Sequence, residues 1–220
     1  MKKIVRSRPE LIGKKLGMTT IFTKEGDARS VTVIELAENI VTDLMTEEKN
    51  GYTAVQVGSK TVKDKHLTKP QLGNLKKKNL PNLALLNEFR VIESELGKYK
   101  IGEKLDPEAL LKPNETCDVI GKSIGKGFQG MVKLHNKSRG FRSHGSKSIR
   151  APGSIGGHTF PGRVFPNKKM PARMGNKQVT AKNLLIVEYV KEDNLLLVQG
   201  PVPGPKDAFV VIKPSIAKWN

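Results

Sequence analysis

Gly125, Gly127 and Gly130 stand in the spacing G-x-G-x-x-G within SIGKGFQGMVKLHN. Glycines at that spacing can cradle the pyrophosphate of a dinucleotide. The chemistry also needs a strand before them, a helix after them and an acid roughly 20 residues on for the ribose. Here the next acid is Glu188, 58 residues beyond Gly130, and no helical pattern of useful length follows. A phosphate loop ending in Gly121-Lys122-Ser123 fails in the same way, because Thr116 occupies the place of its first glycine. His135, His144 and His158 lie in a region with no carboxylate to orient them as bases and no partner with which to hold a metal. The single cysteine, Cys117 in ETCDVIG, rules out a disulfide framework and any zinc site with several thiolates, and reads as a small apolar filler. No catalytic residue, cofactor site or metal site is expected.

The chemistry the sequence does offer is charge. The chain has 220 residues with 39 Lys and Arg against 21 Asp and Glu, a formal net charge of +18. Between Asp118 and Glu188 there is no acid, and this gap holds fourteen Lys and Arg and three of the four histidines. Such a surplus repels itself unless a polyanion is near. The start, MKKIVRSRPELIGKKLG, has no apolar stretch behind its basic residues, and no apolar run approaches the ~20 residues of a spanning helix, so no membrane is expected as partner.

Outside the gap the chain reads as β. LGMTTIFT and ARSVTVIEL flank the turn KEGD, and IVTDLMTE and YTAVQVGSK flank Asn50-Gly51, a strong hairpin signal. EFRVIE, TCDVIGKS, QVTAKNLLIVEYV, LLLVQG and AFVVI are further strands. DPEALLK is a short helix of about two turns, with Asp106 as N-cap and Pro107 at its first position. TKPQLGNLKKKN, Thr68 to Asn79, is a weak helix or loop whose lysines read as a solvated face. From Ile124 to Val179 neither a 3.6 nor a 2.0 period persists. Pro161, Pro166 and Pro171 recur every five residues, and each keeps the residue before it out of the α region. The fold class is therefore mainly β, a barrel or sandwich with a long irregular basic extension inserted. The expected domains are 1–123 with 176–220, carrying a small excursion near 68–112, and an arm over 124–175.

Glycine, cations, scattered aromatics and no acid suit RNA. Glycine lets backbone approach closely, Lys and Arg neutralise phosphate, and Phe128, Phe141, Phe160 and Phe165 can lie against unpaired bases. For Phe128, near the barrel, folding back into a core competes with that role. RNA contacts are expected from Lys14, Lys15, Lys122, Lys126, Phe128, Lys133, His135, Lys137, Arg139, Arg142, His144, Lys147 and Arg150. In the distal part they are expected from Gly156, Gly157, His158, Arg163, Lys168, Lys169, Arg173 and Lys177. A free-standing nucleic-acid chaperone would share these features.

The stretch GKGFQGMVKLHNKSRGFRSHGSKSIRAPGSIG, followed by PGRVFPNKKMPARMGNKQVT, closely resembles the bacterial-type family of the third protein of the large ribosomal subunit. LIGKKLGMTTIFTKEG and EKNGYTAVQVG resemble the same family, so the likeness covers nearly the whole chain. It implies a β-barrel of the translation-protein type on the subunit surface and an arm entering the ribosomal RNA towards the peptidyl transferase centre, with its tip around Gly153 to Arg163. It also implies early assembly on large-subunit rRNA, one copy per ribosome, neighbouring ribosomal proteins as partners, and a ribosome in a bacterium or an organelle (plastid or mitochondrion). Some relatives carry a methylated glutamine where Thr159 stands, so no such modification is expected here.

Overall fold

The computed structural model describes residues 7–23 and 26–215. Lys24 and Glu25 of the expected KEGD turn, and the outermost parts of the expected barrel domain, lie outside the described residues. Segments rich in β-branched residues form the strands. In chain order they are β1 (Leu11–Phe22), β2 (Ala28–Glu35), β3 (Ile40–Met45), β4 (Ala54–Thr61), β5 (Leu83–Arg90), β6 (Thr116–Lys122), β7 (Phe128–Gln129), β8 (Ala172–Arg173), β9 (Gln178–Val190), β10 (Leu195–Gln199) and β11 (Phe209–Pro214).

The protein is mainly β, and six of these strands close into a barrel in the order β1-β11-β6-β9-β10-β2. Every neighbouring pair is antiparallel, from Leu11 opposite Ile212 round to Lys14 opposite Glu35. Closure leaves no edge unpaired. The interior is filled by residues of every barrel strand, among them Leu11, Ile34, Cys117, Val119, Ile186, Leu196, Val198, Val210 and Ile212. Burial pushes the Cys117 thiol up to about 12, so it stays a protonated apolar filler. The buried carboxylate of Asp118 is met by the Arg8 guanidinium at 2.7 Å and by the Asn183 backbone N–H at 3.0 Å. Both partners are needed, since a lone buried charge is strongly destabilising.

The excursion is larger than the sequence suggests, because β3, β4 and β5 leave the barrel and pair as their own antiparallel sheet. Buried Asn39 makes the junction. Its side chain accepts from Ile12 N–H at 2.8 Å and donates to the carbonyls of Ile12 and Ala37, so it serves β1 as a strand would. The sheet has its own cluster of Val41, Val55, Val57, Phe89 and Val91, and Leu105 packs against both this cluster and the barrel core. β3 and β4 are joined through one helical turn, α1 (Glu47–Asn50), in place of a two-residue hairpin loop. A nine-residue helix, α2 (Lys69–Lys77), does form. Gln71 Oε1 accepts from both N–H and O–H of Thr68 at its start, and Leu75 is its buried residue. After α3 (Glu93–Leu96), the DPEALLK segment makes one turn only, α4 (Pro107–Leu110), capped by Asp106 on Glu108 N–H. Pro113 disfavours α geometry at Lys112, and Leu111 turns into the core.

Residues 123–177 form a second compact unit, emerging from β6 and returning into β9. Its regular structure amounts to the two-residue strands β7 and β8 and one helical turn, α5 (Met131–Leu134).

A candidate nucleic-acid interface

The two limbs of the arm are stitched at their root. Ser123 N–H donates to Lys177 O at 2.9 Å, Asn176 N–H to Ser123 O at 3.1 Å, and Lys126 N–H to Met174 O and Met174 N–H to Gly127 O at 2.9 Å each. β7 and β8 continue this ladder, Phe128 opposite Arg173. Further on, His135 Nε2 lies 2.9 Å from Met170 O. A carbonyl can only accept, so Nε2 carries the proton and His135 ties the limbs together. The glycines of the G-x-G-x-x-G spacing therefore sit in a pinched hairpin root, with Gly130 opening a helical turn of four residues.

Gly175 closes the root most tightly. Its φ is +75°, and a Cβ there would lie 2.1 Å from Ile124 O. Sequence reasoning missed it. The available signal was Gly-Asn within MGN, and Asn176 follows in a left-handed conformation at φ 53°.

Beyond the root the arm has almost no interior. Met131 is its one buried side chain. Along 150–171 the backbone enters no helix or strand, and among the described residues no backbone-to-backbone hydrogen bond of standard geometry forms there. Phe128, Phe141, Phe160 and Phe165 are 71%, 79%, 91% and 56% exposed, so a core role for Phe128 does not hold. Lys126, Lys133, Lys137, Arg139, Arg142, His144, Lys147, Arg150, Lys168, Lys169, Arg173 and Lys177 are all exposed. With no acid in the unit, its cations have no carboxylate there to pair with. At the tip, the Arg163 guanidinium lies 5.6 Å from the centre of the Phe165 ring. Gly156, Gly157, His158 and Arg163 line an open concavity, and His158 Nδ1 is 2.9 Å from Thr159 Oγ1. A Cβ on Gly157 would press on Phe160 O at 3.0 Å, whereas Gly156 has more room, 3.7 Å from Arg163 O.

The barrel residues expected to join this set differ among themselves. Lys122, at the end of β6, is exposed. Lys14 pairs with Asp207 at 2.7 Å, which raises the lysine above its ordinary value and lowers the carboxyl. Lys15 is committed further. Its ammonium donates to Val202 O at 2.8 Å and Gly204 O at 2.9 Å, leaving one of its three donors for anything else. Among the described residues no group of three or more His, Cys, Asp or Glu is placed to hold a metal ion, and no helix is long and apolar enough to cross a membrane.

The family model described as Ribosomal protein L3 matches residues 14–193. The chain is 46% identical over 206 residues to the Large ribosomal subunit protein uL3 of Alkaliphilus metalliredigens, covering 94% of this chain and 97% of that protein. It is 45% identical over 207 residues to the protein of that name from Dichelobacter nodosus, covering 94% and 97%. It is 46% identical over 202 residues to the Large ribosomal subunit protein uL3c of Gracilaria tenuistipitata, covering 92% and 97%.

Proposed function

Because the chain belongs to the ribosomal protein L3 family, we propose that it is a structural constituent of the large ribosomal subunit that packs rRNA with its arm. The barrel anchors the protein, and residues 123–177 enter the RNA as two limbs pinned at their root. The exposed cations neutralise phosphate, the exposed phenylalanines stack on unpaired bases, and the tip, Gly153 to Arg163, shapes RNA near the peptidyl transferase centre. The protein joins early in assembly beside other large-subunit proteins, at one copy per ribosome, in a bacterium or an organelle. The reading includes no proton transfer, because nothing acidic orients His158.

The observation that carries this reading is an arm with one buried side chain, no acid and its whole cationic set facing outward. Sedimentation tests it. The protein should stay with large subunits through a high-salt wash at one copy each. A free-standing chaperone would be stripped off at varying stoichiometry, and that result would reject the reading. Lys168→Ala with Lys169→Ala should lower the log–log salt slope of rRNA binding by about one or two, at roughly 0.7–0.9 per phosphate.

A further inference from the structure

Outside 123–177 the chain holds 27 Lys and Arg against all 21 of its acids, a surplus of six. The stretch from Lys60 to Lys78 holds seven lysines and one acid, Asp64, also a surplus of six. The rest of the barrel unit is thus neutral, 20 cations against 20 acids. Elsewhere in that unit Lys14, Lys98, Lys104, Lys191 and Lys213 pair with carboxylates, while among the described residues Lys49, Lys100, Lys112, Lys122, Lys182 and Lys206 stand unpaired but scattered, so what sets the stretch apart is its concentrated surplus.

Within the stretch, pairing stops short. Asp64 is held by Asn82 at 2.5 Å and lies 3.8 Å from the Lys76 ammonium, so its charge is already engaged. Lys78 pairs with Asp43 at 2.6 Å. Among the described residues no carboxylate lies within 4.0 Å of the ammonium groups of Lys63, Lys65, Lys69 or Lys77. The Lys76–Asp64 contact joins the short 3₁₀ turn Asp64–His66 to α2, so both pieces belong to one surface. On α2, at 100° per residue, Lys69, Gly73, Lys76 and Lys77 fall on the side opposite buried Leu75. Gly73 keeps the helix backbone open between them, with nothing within 4 Å of where a Cβ would stand. Lys63, Lys65 and His66 ring an open concavity beside it.

We propose that this face is a second RNA-binding surface, which holds the phosphate backbone of duplex RNA through Lys63, Lys65, Lys69 and Lys77. It differs in kind from the arm. Between Tyr52 and Phe89 there is no Phe, Tyr or Trp, and His66 is the one ring the face offers, so the face grips phosphate through its lysines and does not stack a run of unpaired bases. Val62, Leu67 and Leu72 are half-buried and Leu75 is buried, so the stretch presents no exposed bulky apolar anchor of the kind a membrane surface would demand. The inference rests on the reading of the chain as an RNA-packing protein.

The test uses the full chain and transcribed large-subunit rRNA, with binding measured between 50 and 200 mM salt. Changing Lys63, Lys65, Lys69 and Lys77 together to Ala should lower the log–log slope by about three to four, at ~0.9 per duplex phosphate. The same four positions changed to Arg should keep the wild-type slope. All four side chains are exposed, and Thr68, Gln71 and Leu75 stay in place, so both variants should unfold at the wild-type temperature. An unchanged slope in the Ala variant, with the Lys168/Lys169 variant still lowered, overturns the second surface alone and leaves the face to an acidic protein neighbour. Loss of slope in the Arg variant also overturns it, because charge would not be the cause. Wild-type binding with no salt dependence removes both this inference and the RNA-packing reading.

Discussion

Replacing Gly175 by alanine should disable the arm while sparing the barrel. At φ +75° a side chain adopts a left-handed backbone, costing about 1–2 kcal/mol. The new methyl would also lie 2.1 Å from Ile124 O and 3.1 Å from Gly125 Cα, both backbone atoms of the opposite limb. Contacts under 3.0 Å are essentially never seen for a real Cβ, so the limbs must part by nearly an ångström. Parting them breaks Asn176 N–H to Ser123 O, and strains Lys126 N–H to Met174 O and Met174 N–H to Gly127 O. At about 1 kcal/mol net for each bond, the total reaches roughly 3–5 kcal/mol. Gly127→Ala is the matched control: φ is +66° but nothing lies within 4 Å of its Cβ, so only the left-handed penalty applies. Filter binding to large-subunit rRNA at fixed salt should show Gly127→Ala weaker by about 5- to 30-fold and Gly175→Ala by 10² to 10³-fold or more. The thermal midpoint of the barrel, followed by circular dichroism, should match wild type in both. Equal losses in the two variants would refute the steric argument, and a lowered barrel midpoint would refute the separation of root from barrel.

Lys15→Met should lower stability by about 2–3 kcal/mol in urea titration, since two partly buried carbonyls lose a charged donor, and should leave the salt slope of RNA binding within one unit; a large slope change with wild-type stability would assign Lys15 to RNA instead. The Lys14–Asp207 pair should contribute evenly through neutral pH. The lowered carboxyl loses its share as pH falls through and below 3.8, and the raised ammonium loses its share as pH rises through and above 10.5. Asp207→Asn should therefore differ from wild type by a constant amount from about pH 5 to 9 and converge with it at both extremes, and a gap varying across neutral pH would contradict the assignment. Limited proteolysis of the free protein should cut within 124–177 and leave a β-rich remainder, because one buried side chain cannot hold that segment in order; uniform protection without RNA would count against it.

Strand identity was legible because it is local. QVTAKNLLIVEYV became β9 residue for residue, and the KEGD turn and Asn50-Gly51 marked the hairpin strands β1 with β2 and β3 with β4. Closure was not legible, because it depends on pairings such as Leu11 with Ile212 that no local pattern encodes. The departure of β3–β5 into their own sheet turns on Asn39, a polar residue whose value lies in its burial beside Ile12. Lys15 reads as one more surface cation, and only the fold brings Val202 O and Gly204 O to it. The lysines of Thr68 to Asn79 read as a solvated face for the converse reason: the tally of paired and unpaired charge becomes informative only once the carboxylates are placed.

The two cationic regions pose one physical question, since α2 presents lysines with nine residues of ordinary helix while the arm takes the irregular stretch 123–177. Neutralising phosphate does not demand irregularity. Backbone exposure does. A helix satisfies its own N–H groups and offers a partner only side chains, whereas along 150–171 the main-chain donors have no backbone acceptor of standard geometry within the chain. Every exposed donor there is met by water in the free protein. In the proposed complex, phosphate oxygens, base edges and 2′-hydroxyls take the place of that water, and main-chain N–H groups join the contacts that fix register on RNA. Glycines at 153, 156, 157 and 162 let RNA approach the main chain closely, and the absence of acid keeps that approach free of repulsion. On the proposed reading, the irregular arm makes its backbone part of the binding surface, whereas α2 would offer RNA its side chains alone.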